Sequence, residues 1–336
     1  MTLFIQASNV HQGGGKALLL PLLAAVRQPC VVYLDERLGD VPDLDPAVKV
    51  MRFKATLPGR LKAERTLRNM ATSDDLILCF GNLPPLFPSR AKVVVFLQNR
   101  YLATRASTVG MPVRTRVRIN LERLWLGACL RAATLIVQTE TMARAVELNM
   151  KRRALPMPFF PTLQPVGHKS KEPDYDFVYV ASGEPHKNHR TLVEAWEILH
   201  RHGFQPTLCL TLTFDRDREL RAWVERRAQL PGLSIDMQDV SGEAEVARLL
   251  ARSRAAIYPS HFESFGLPLL EAKNAGLPII ASERDYVRDL VEPVETFDPD
   301  SALSIARAVM RHLGKPMKTA SIDDPVEFLR AIQADF

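Results

Sequence analysis

The stretch "VYVASGEPHKNHRTLVEAW", residues 178–196, decides how the chain is to be read. It opens on a continuous apolar run, the pattern of a strand buried on both faces of a parallel sheet. Ser182, Gly183, Glu184 and Pro185 make a turn, and beyond Asn188 the apolar residues recur at helical spacing. Strand, tight turn and helix form the repeating unit of an α/β sheet, whose ligands bind beyond the carboxyl ends of the strands. This helix opens amid His186, Lys187, His189 and Arg190. A helix N-terminus already carries about half a positive charge, so acidic residues are its usual company. The basic cluster points to an anion, because free backbone N–H groups there donate to phosphate oxygens and Lys187 adds a mobile charge. An N-cap Asn188 with solvated neighbours accounts for the same residues without a ligand.

On the C-terminal side the alternation runs on through strand 206–213, helix 217–228, strand 233–237, helix 242–252, strand 255–258, helix 267–275, strand 278–281 and helix 301–313, with a last helix near 325–334. The strand of the opening stretch spans 176–181 and its helix 188–202. On the N-terminal side, strands at 2–8, 30–34, 48–53, 75–80, 92–97 and 134–138 alternate with helices near 15–27, 59–71, 113–132 and 140–149. Residues 154–174, with five prolines and little periodicity, separate the two series and read as a hinge. The expected organisation is α/β: a Rossmann-like domain over 1–160, a proline-rich linker over 161–174, a second Rossmann-like domain over 175–315, and a loop and helix over 316–336. The two doubly wound domains face a central cleft.

A second strand-to-helix turn, "IYPSHFESFGLPLLEAKNAGLPIIAS" at 257–282, strengthens the anion reading. Pro268 suits the first turn of a helix, and Gly266 just outside it permits close backbone approach, so the Phe265, Gly266 and Leu267 amides can face an anion. Glu263 precedes the helix and Glu271 lies eight residues later, inside it. A carboxylate accepts two hydrogen bonds and donates none, which matches the paired hydroxyls of a ribose or hexose.

Glu263 and Glu271 around Phe-Gly-Leu-Pro, with Lys187-Asn188 and the glycine turn at 13–15, resemble the retaining glycosyltransferases of GT-B fold, family 4. The resemblance is motif by motif in the C-terminal half and mainly architectural in the N-terminal half. It implies transfer of a sugar from a nucleotide diphosphate-sugar to an acceptor hydroxyl with the anomeric configuration retained. Lys187 would contact the donor diphosphate and Glu263 the donor sugar, the two residues assigned to catalysis. The 265–267 amides would meet phosphate or sugar, Glu271 the ribose diol, and Val240 the nucleobase. Many members carry an arginine where this chain has Ser182, and a histidine where it has Gln98-Asn99. His186 or Arg190 then stand in for the arginine, and Gln98, Asn99 and Arg100, which follow a strand end, become the acceptor-side candidates.

The turn "NVHQGGGKALLL" at 9–20 is neither a Walker A loop, since Val10 and Ala17 occupy required positions, nor a dinucleotide fingerprint, since Leu18 takes the third glycine site. It remains a turn where Gly14 and Gly15 let donor or acceptor approach the backbone. Asp215-x-Asp217 has the spacing of a metal-binding pair but opens a helix, where Asp215 serves more simply as N-cap. No cofactor and no metal is expected. The four cysteines form no CxxC, which argues against zinc and against a disulfide framework, and fits a reducing cytoplasm.

Charge is divided between the halves. Residues 1–165 hold 23 Lys and Arg against 11 Asp and Glu, while the remainder is net acidic. Seven arginines lie between Arg100 and Arg131, including Arg114, Arg116 and Arg118, beside Leu102, Met111, Val113, Leu124 and Trp125. Such a patch attracts anionic headgroups. The apolar run at 17–26 is ten residues broken by Pro21, too short to span a bilayer. The expected setting is therefore cytoplasmic and peripheral on the inner face of the plasma membrane, with a saccharide or lipid-linked saccharide acceptor and no nucleic acid. The acceptor fits bacterial surface polysaccharide synthesis of O-antigen or capsule type. A nucleotide-sugar epimerase of the same fold, or a non-catalytic polyanion-binding module, are the alternatives.

Overall fold

The computed structural model describes residues 1–104, 108, 111–130, 133–160, 172–240 and 242–317. Most of the expected linker and the helix near 325–334 lie outside these residues, as do Arg105 and Arg131.

The N-terminal lobe runs β1 (Leu3–Ala7), α1 (Gly13–Ala25), β2 (Cys30–Asp35), β3 (Val48–Phe53), α2 (Leu57–Met70), β4 (Leu76–Cys79), β5 (Lys92–Phe96), α3 (Arg100–Ala103), α4 (Val113–Cys129), β6 (Thr134–Val137), α5 (Glu140–Met150) and β7 (Ala154–Pro156). Its strands form one parallel sheet in the order β3-β2-β1-β4-β5-β6-β7. The C-terminal lobe runs β8 (Tyr175–Tyr179), α6 (His189–Arg201), β9 (Leu208–Thr211), α7 (Arg218–Ala228), β10 (Ile235–Gln238), α8 (Glu243–Ala251), β11 (Ser253–Tyr258), α9 (Leu267–Asn274), β12 (Ile279–Ser282), α10 (Asp285–Arg288), β13 (Glu295–Phe297) and α11 (Ala302–His312). Its sheet, also parallel, has the order β10-β9-β8-β11-β12-β13.

Both orders reverse beside the first strand of the lobe, between β1 and β4 and between β8 and β11. Connections leave in opposite directions at such a switch point and open a crevice there. β2 and β9 are buried at every position, as a two-sided parallel sheet requires. The proline-rich segment starts later than its composition implies, because Ala154–Pro156 pair with β6 as the edge strand β7. Pro156 is tolerated at an edge, where no further ladder bond is demanded of it.

The lobes also share apolar contacts. Phe265 of the C-terminal lobe is buried in the core around α1, with Leu267, Leu270 and Leu290 against the same cluster. At another point of contact, Thr141 N donates to Asp289 Oδ2 at 2.9 Å.

Candidate active site

The turns after β8 and β11 meet at the switch point of the C-terminal sheet. Lys187 Nζ lies 2.6 Å from Glu263 Oε1, with both side chains largely buried. The Tyr258 hydroxyl donates to the same carboxylate oxygen at 3.2 Å. His261 N donates to His186 O at 2.9 Å, and the Tyr179 hydroxyl donates to Lys187 O at 2.8 Å, so the turn is held by its backbone as well as by its charges. Asn188 adopts φ 62°, a left-handed conformation that asparagine tolerates better than most residues. Its side-chain amide donates to Pro259 O and Pro299 O, which places that amide inside the lobe, where it shapes the turn.

The Ser182 hydroxyl donates to Glu184 Oε2. Gly183 N donates to Asp217 Oδ1, and the other Asp217 oxygen receives Thr213 N and Thr213 Oγ1. A Cβ on Gly183 would stand 2.6 Å from Asp217 Oδ1, so glycine is what lets this carboxylate reach the turn. The N-cap position of α7 is held by Asp217, not Asp215 as the spacing suggested, and its carboxylate makes no bond to the helix because it is turned to Gly183 and Thr213. His186 stacks on Phe262 with ring centroids 4.7 Å apart, and Arg190 lies over Trp223 at 4.6 Å. The two candidates for the absent arginine are thus both engaged by aromatic rings.

Gly266 has φ 86°, a left-handed conformation that glycine adopts without cost, and forms the N-cap of α9 with Pro268 in the first turn. Helices α1, α6 and α9 all begin without a side-chain cap, so their first amides keep donors available to a ligand. Glu271 lies one turn into α9, and burial, with Glu243 beside it, pushes its carboxyl up to about 7. Val240 is half-buried after β10, against the core of the lobe.

Across the cleft, Gly13, Gly14 and Gly15 form the first turn of α1 itself, two residues earlier than the expected start of that helix. A Cβ on Gly14 would meet Leu267 Cδ1 at 3.3 Å, so the glycine turn faces the Phe-Gly-Leu-Pro turn directly. Gln98 donates its amide to Phe80 O, and the backbone N–H groups of Gln98 and Asn99 both donate to Asn82 Oδ1. Asn99 caps α3 by accepting from Tyr101 N. Arg100 reaches the other lobe: its backbone N donates to Ser264 Oγ at 2.9 Å, its guanidinium donates to Glu263 O at 3.1 Å and rests over Phe262. Burial lowers the pKa of this guanidinium.

Residues absent from the sequence-based candidates complete the junction. The Tyr101 hydroxyl is 3.3 Å from His186 Nδ1, and its ring packs edge-on to His186 and Phe262. Burial pushes Tyr101 up to about 12 and holds the His186 imidazole below its ordinary range, with Lys187 acting in the same direction on His186. His189, fully enclosed beside the Tyr179 ring, is pushed down to about 3 by burial. Phe214, exposed after β9, stacks on Arg221 at 3.9 Å while its backbone N–H donates to Asp239. A strand-end position for Phe214 was visible in the sequence, whereas the partners of Tyr101 and Asp217 are 85 and 34 residues away. Among the described residues no cluster of three or more His, Cys, Asp or Glu is placed to hold a metal ion.

Residues 162–323 match the family glycosyl transferases group 1. The serotype-specific mannosyltransferase WbdA of Escherichia coli is 32% identical over 137 residues, 40% of this chain and 16% of that protein. The O-antigen chain mannosyltransferase B of the same organism is 25% identical over 150 residues, 40% of this chain and 36% of that protein. The chain thus spans well under half the length of the curated relatives it matches. Sucrose-phosphate synthase from Thermosynechococcus elongatus superposes with a TM-score of 0.70 at 18% identity, covering 94% of this chain and 90% of that one. Anabaena HepE in complex with UDP and glucose superposes with a TM-score of 0.64 at 16% identity, covering 93% and 90%. Likeness at this identity establishes the two-domain fold.

Proposed function

We propose, from the premise that this chain has the GT-B fold and bears a glycosyl transferases group 1 domain over 162–323, that it moves a sugar from a nucleotide-sugar to an acceptor hydroxyl. The observation that carries the reading is the Lys187–Glu263 pair, 2.6 Å apart at the switch point of the donor-side sheet, with uncapped helix starts on both sides. A diphosphate entering there would compete with Glu263 for the Lys187 ammonium and free the carboxylate to accept a sugar hydroxyl. As the anomeric C–O bond breaks, charge grows on the departing diphosphate, where Lys187 and the amides of α6 and α9 stabilise it most. The acceptor oxygen bonds to the anomeric carbon, and its proton passes to a diphosphate oxygen. Attack on the face from which the diphosphate leaves retains the configuration, and the scheme asks for no metal.

Glu271 would receive the ribose hydroxyls, and Val240, with Phe214 nearby, would border the base. The acceptor enters from the N-terminal lobe, between the glycine turn and Gln98, Asn99 and Arg100. A lipid-linked saccharide of surface-polysaccharide synthesis, met at the inner face of the plasma membrane, suits the arginines of α4. Because named relatives are mannosyltransferases, a mannose-bearing nucleotide is the first donor to try. Thermal stabilisation by a panel of nucleotide-sugars, then turnover of the stabilising donor with and without acceptor lipids, tests the proposal. Stabilisation lost in Lys187→Ala is expected; a donor epimerised without acceptor, or no donor bound, would sink it.

A further inference from the structure

Helix α4 carries a surface that the fold does not use. Val113, Val117, Leu121 and Leu124 are 72%, 52%, 61% and 70% exposed, although single large apolar side chains on a helix normally face a core. With 3.6 residues per turn these four fall within an arc of about 80°. The seam that packs into the lobe, Ile119 and Leu126, lies on the opposite side of the helix. Exposed arginines flank the outward arc: Arg114 and Arg118 along one edge, Arg116 along the other. The helix is therefore apolar on two faces, one filled by the N-terminal core and one turned outward between rows of positive charge.

We infer that α4 lies in the headgroup layer of an anionic membrane with this arc inserted among the acyl chains. This deepens, and rests on, the membrane-facing acceptor side proposed above. Charge alone would hold the chain at the surface, but an arc of branched apolar side chains bordered by arginines fits the boundary between headgroups and hydrocarbon. Its 17 residues make a rod of about 25 Å, long enough to set an orientation when it lies flat. No helix among the described residues is long and apolar enough to cross a membrane, so insertion of this kind is shallow. The consequence for function comes through Arg123, whose guanidinium donates to Tyr101 O and Thr104 O at either end of the short helix α3. Since α3 also carries Arg100 against Ser264 and Glu263, the membrane-inserted helix is braced directly against the site.

The full chain would be floated with neutral phosphatidylcholine vesicles and with vesicles that also contain phosphatidylglycerol. Binding to the mixed vesicles is expected, weakened roughly tenfold or more in the Leu121→Asn, Leu124→Asn double variant. Arg114→Gln with Arg118→Gln should weaken binding to mixed vesicles and make the remainder less sensitive to salt. A Leu121→Trp variant should shift its emission to the blue when mixed vesicles are added. Vesicle binding with no such shift would mean adhesion by charge alone and overturn the insertion. Self-association in the absence of lipid, abolished by the asparagine variant, with no vesicle binding, would assign the arc to a second copy instead. Thermal melting checks that the variants fold. Calorimetry with nucleoside diphosphates, read on the same proteins, tests the donor site separately, so loss of one property is not mistaken for loss of the other.

Discussion

Between β8 and β11 the cleft-facing turns carry Lys187, Glu263 and, one helical turn further, Glu271; between β1 and β4 the corresponding turns carry Gly13–Gly15 and Gly81-Asn82. The two crevices arise from the same strand order and are furnished in opposite ways. In the C-terminal lobe charged groups are held in register by tyrosines and backbone bonds, with Glu263 shared by Lys187 and Tyr258. In the N-terminal lobe Gln98, Asn82 and Asn9 are turned to backbone, Gln98 to Phe80 O, Asn82 to the amides of 98 and 99, Asn9 to Gly81 O, while Ser8 and Gln6 are bonded to the largely buried Arg60–Glu64 pair. Topology supplies the crevice in both lobes, and side-chain chemistry distinguishes them: the proposed diphosphate site is the one that holds the Lys187–Glu263 pair.

Four substitutions or titrations would break or sharpen that contrast. Lys187→Ala should lower transfer by about two to three orders of magnitude, as loss of a group stabilising a developing oxyanion does, and single-turnover rates would show it. An unchanged rate would mean that the charged crevice is not where the leaving group departs. Gly183→Ala drives a methyl into the Asp217 carboxylate and should cost about 1–3 kcal/mol in thermal or urea unfolding, the range for a forced contact in a packed site.

Glu271 gives a titration with a defined sign. Its carboxyl keeps its proton in the folded chain up to about 7, so its contribution to stability is fullest below the ordinary carboxylate range and declines as pH rises toward 7. Ribose hydroxyls donating to the carboxylate favour the ionised form, so nucleoside diphosphate affinity should rise across pH 6–8 by about tenfold, the worth of a charged hydrogen bond. Calorimetry at several pH values would record it, and Glu271→Gln should flatten the profile. The smallest effect is expected at the seam between the lobes. Arg100→Ala removes a hydrogen bond to Glu263 O and a cation–ring contact, together about 1 kcal/mol, and should raise KM several-fold while Lys187-dependent nucleotide affinity stays.

Much of the architecture was legible because long apolar runs and helical periodicity are local signals. The expected strands at 48–53 and 92–97 and helices at 140–149 and 267–275 agree with β3, β5, α5 and α9 to within a residue. Four short elements escaped, β7, β13, α3 and α10, since neither a helical period nor a continuous apolar run marks them, whereas four-residue strands such as β6 and β12 were legible as apolar runs. α3 was the costliest omission, because it carries Arg100 and Tyr101 into the opposite lobe. Gln98 and Asn99 were legible as a strand end, whereas their engagement with Phe80 and Asn82 was not.

The sequence by itself determined two doubly wound lobes, the basic and glycine-bearing turns at 182–188 and 263–268, and the uneven charge of the halves, because each is written in neighbouring residues. Tertiary structure alone decided that Lys187 closes on Glu263, that Asp217 rather than Asp215 braces Gly183, that Phe265 crosses into the other lobe, and that α4 turns Val113, Val117, Leu121 and Leu124 outward. Those outcomes depend on which surfaces meet when distant segments pack, and local spacing carries no record of the partner that a side chain will find.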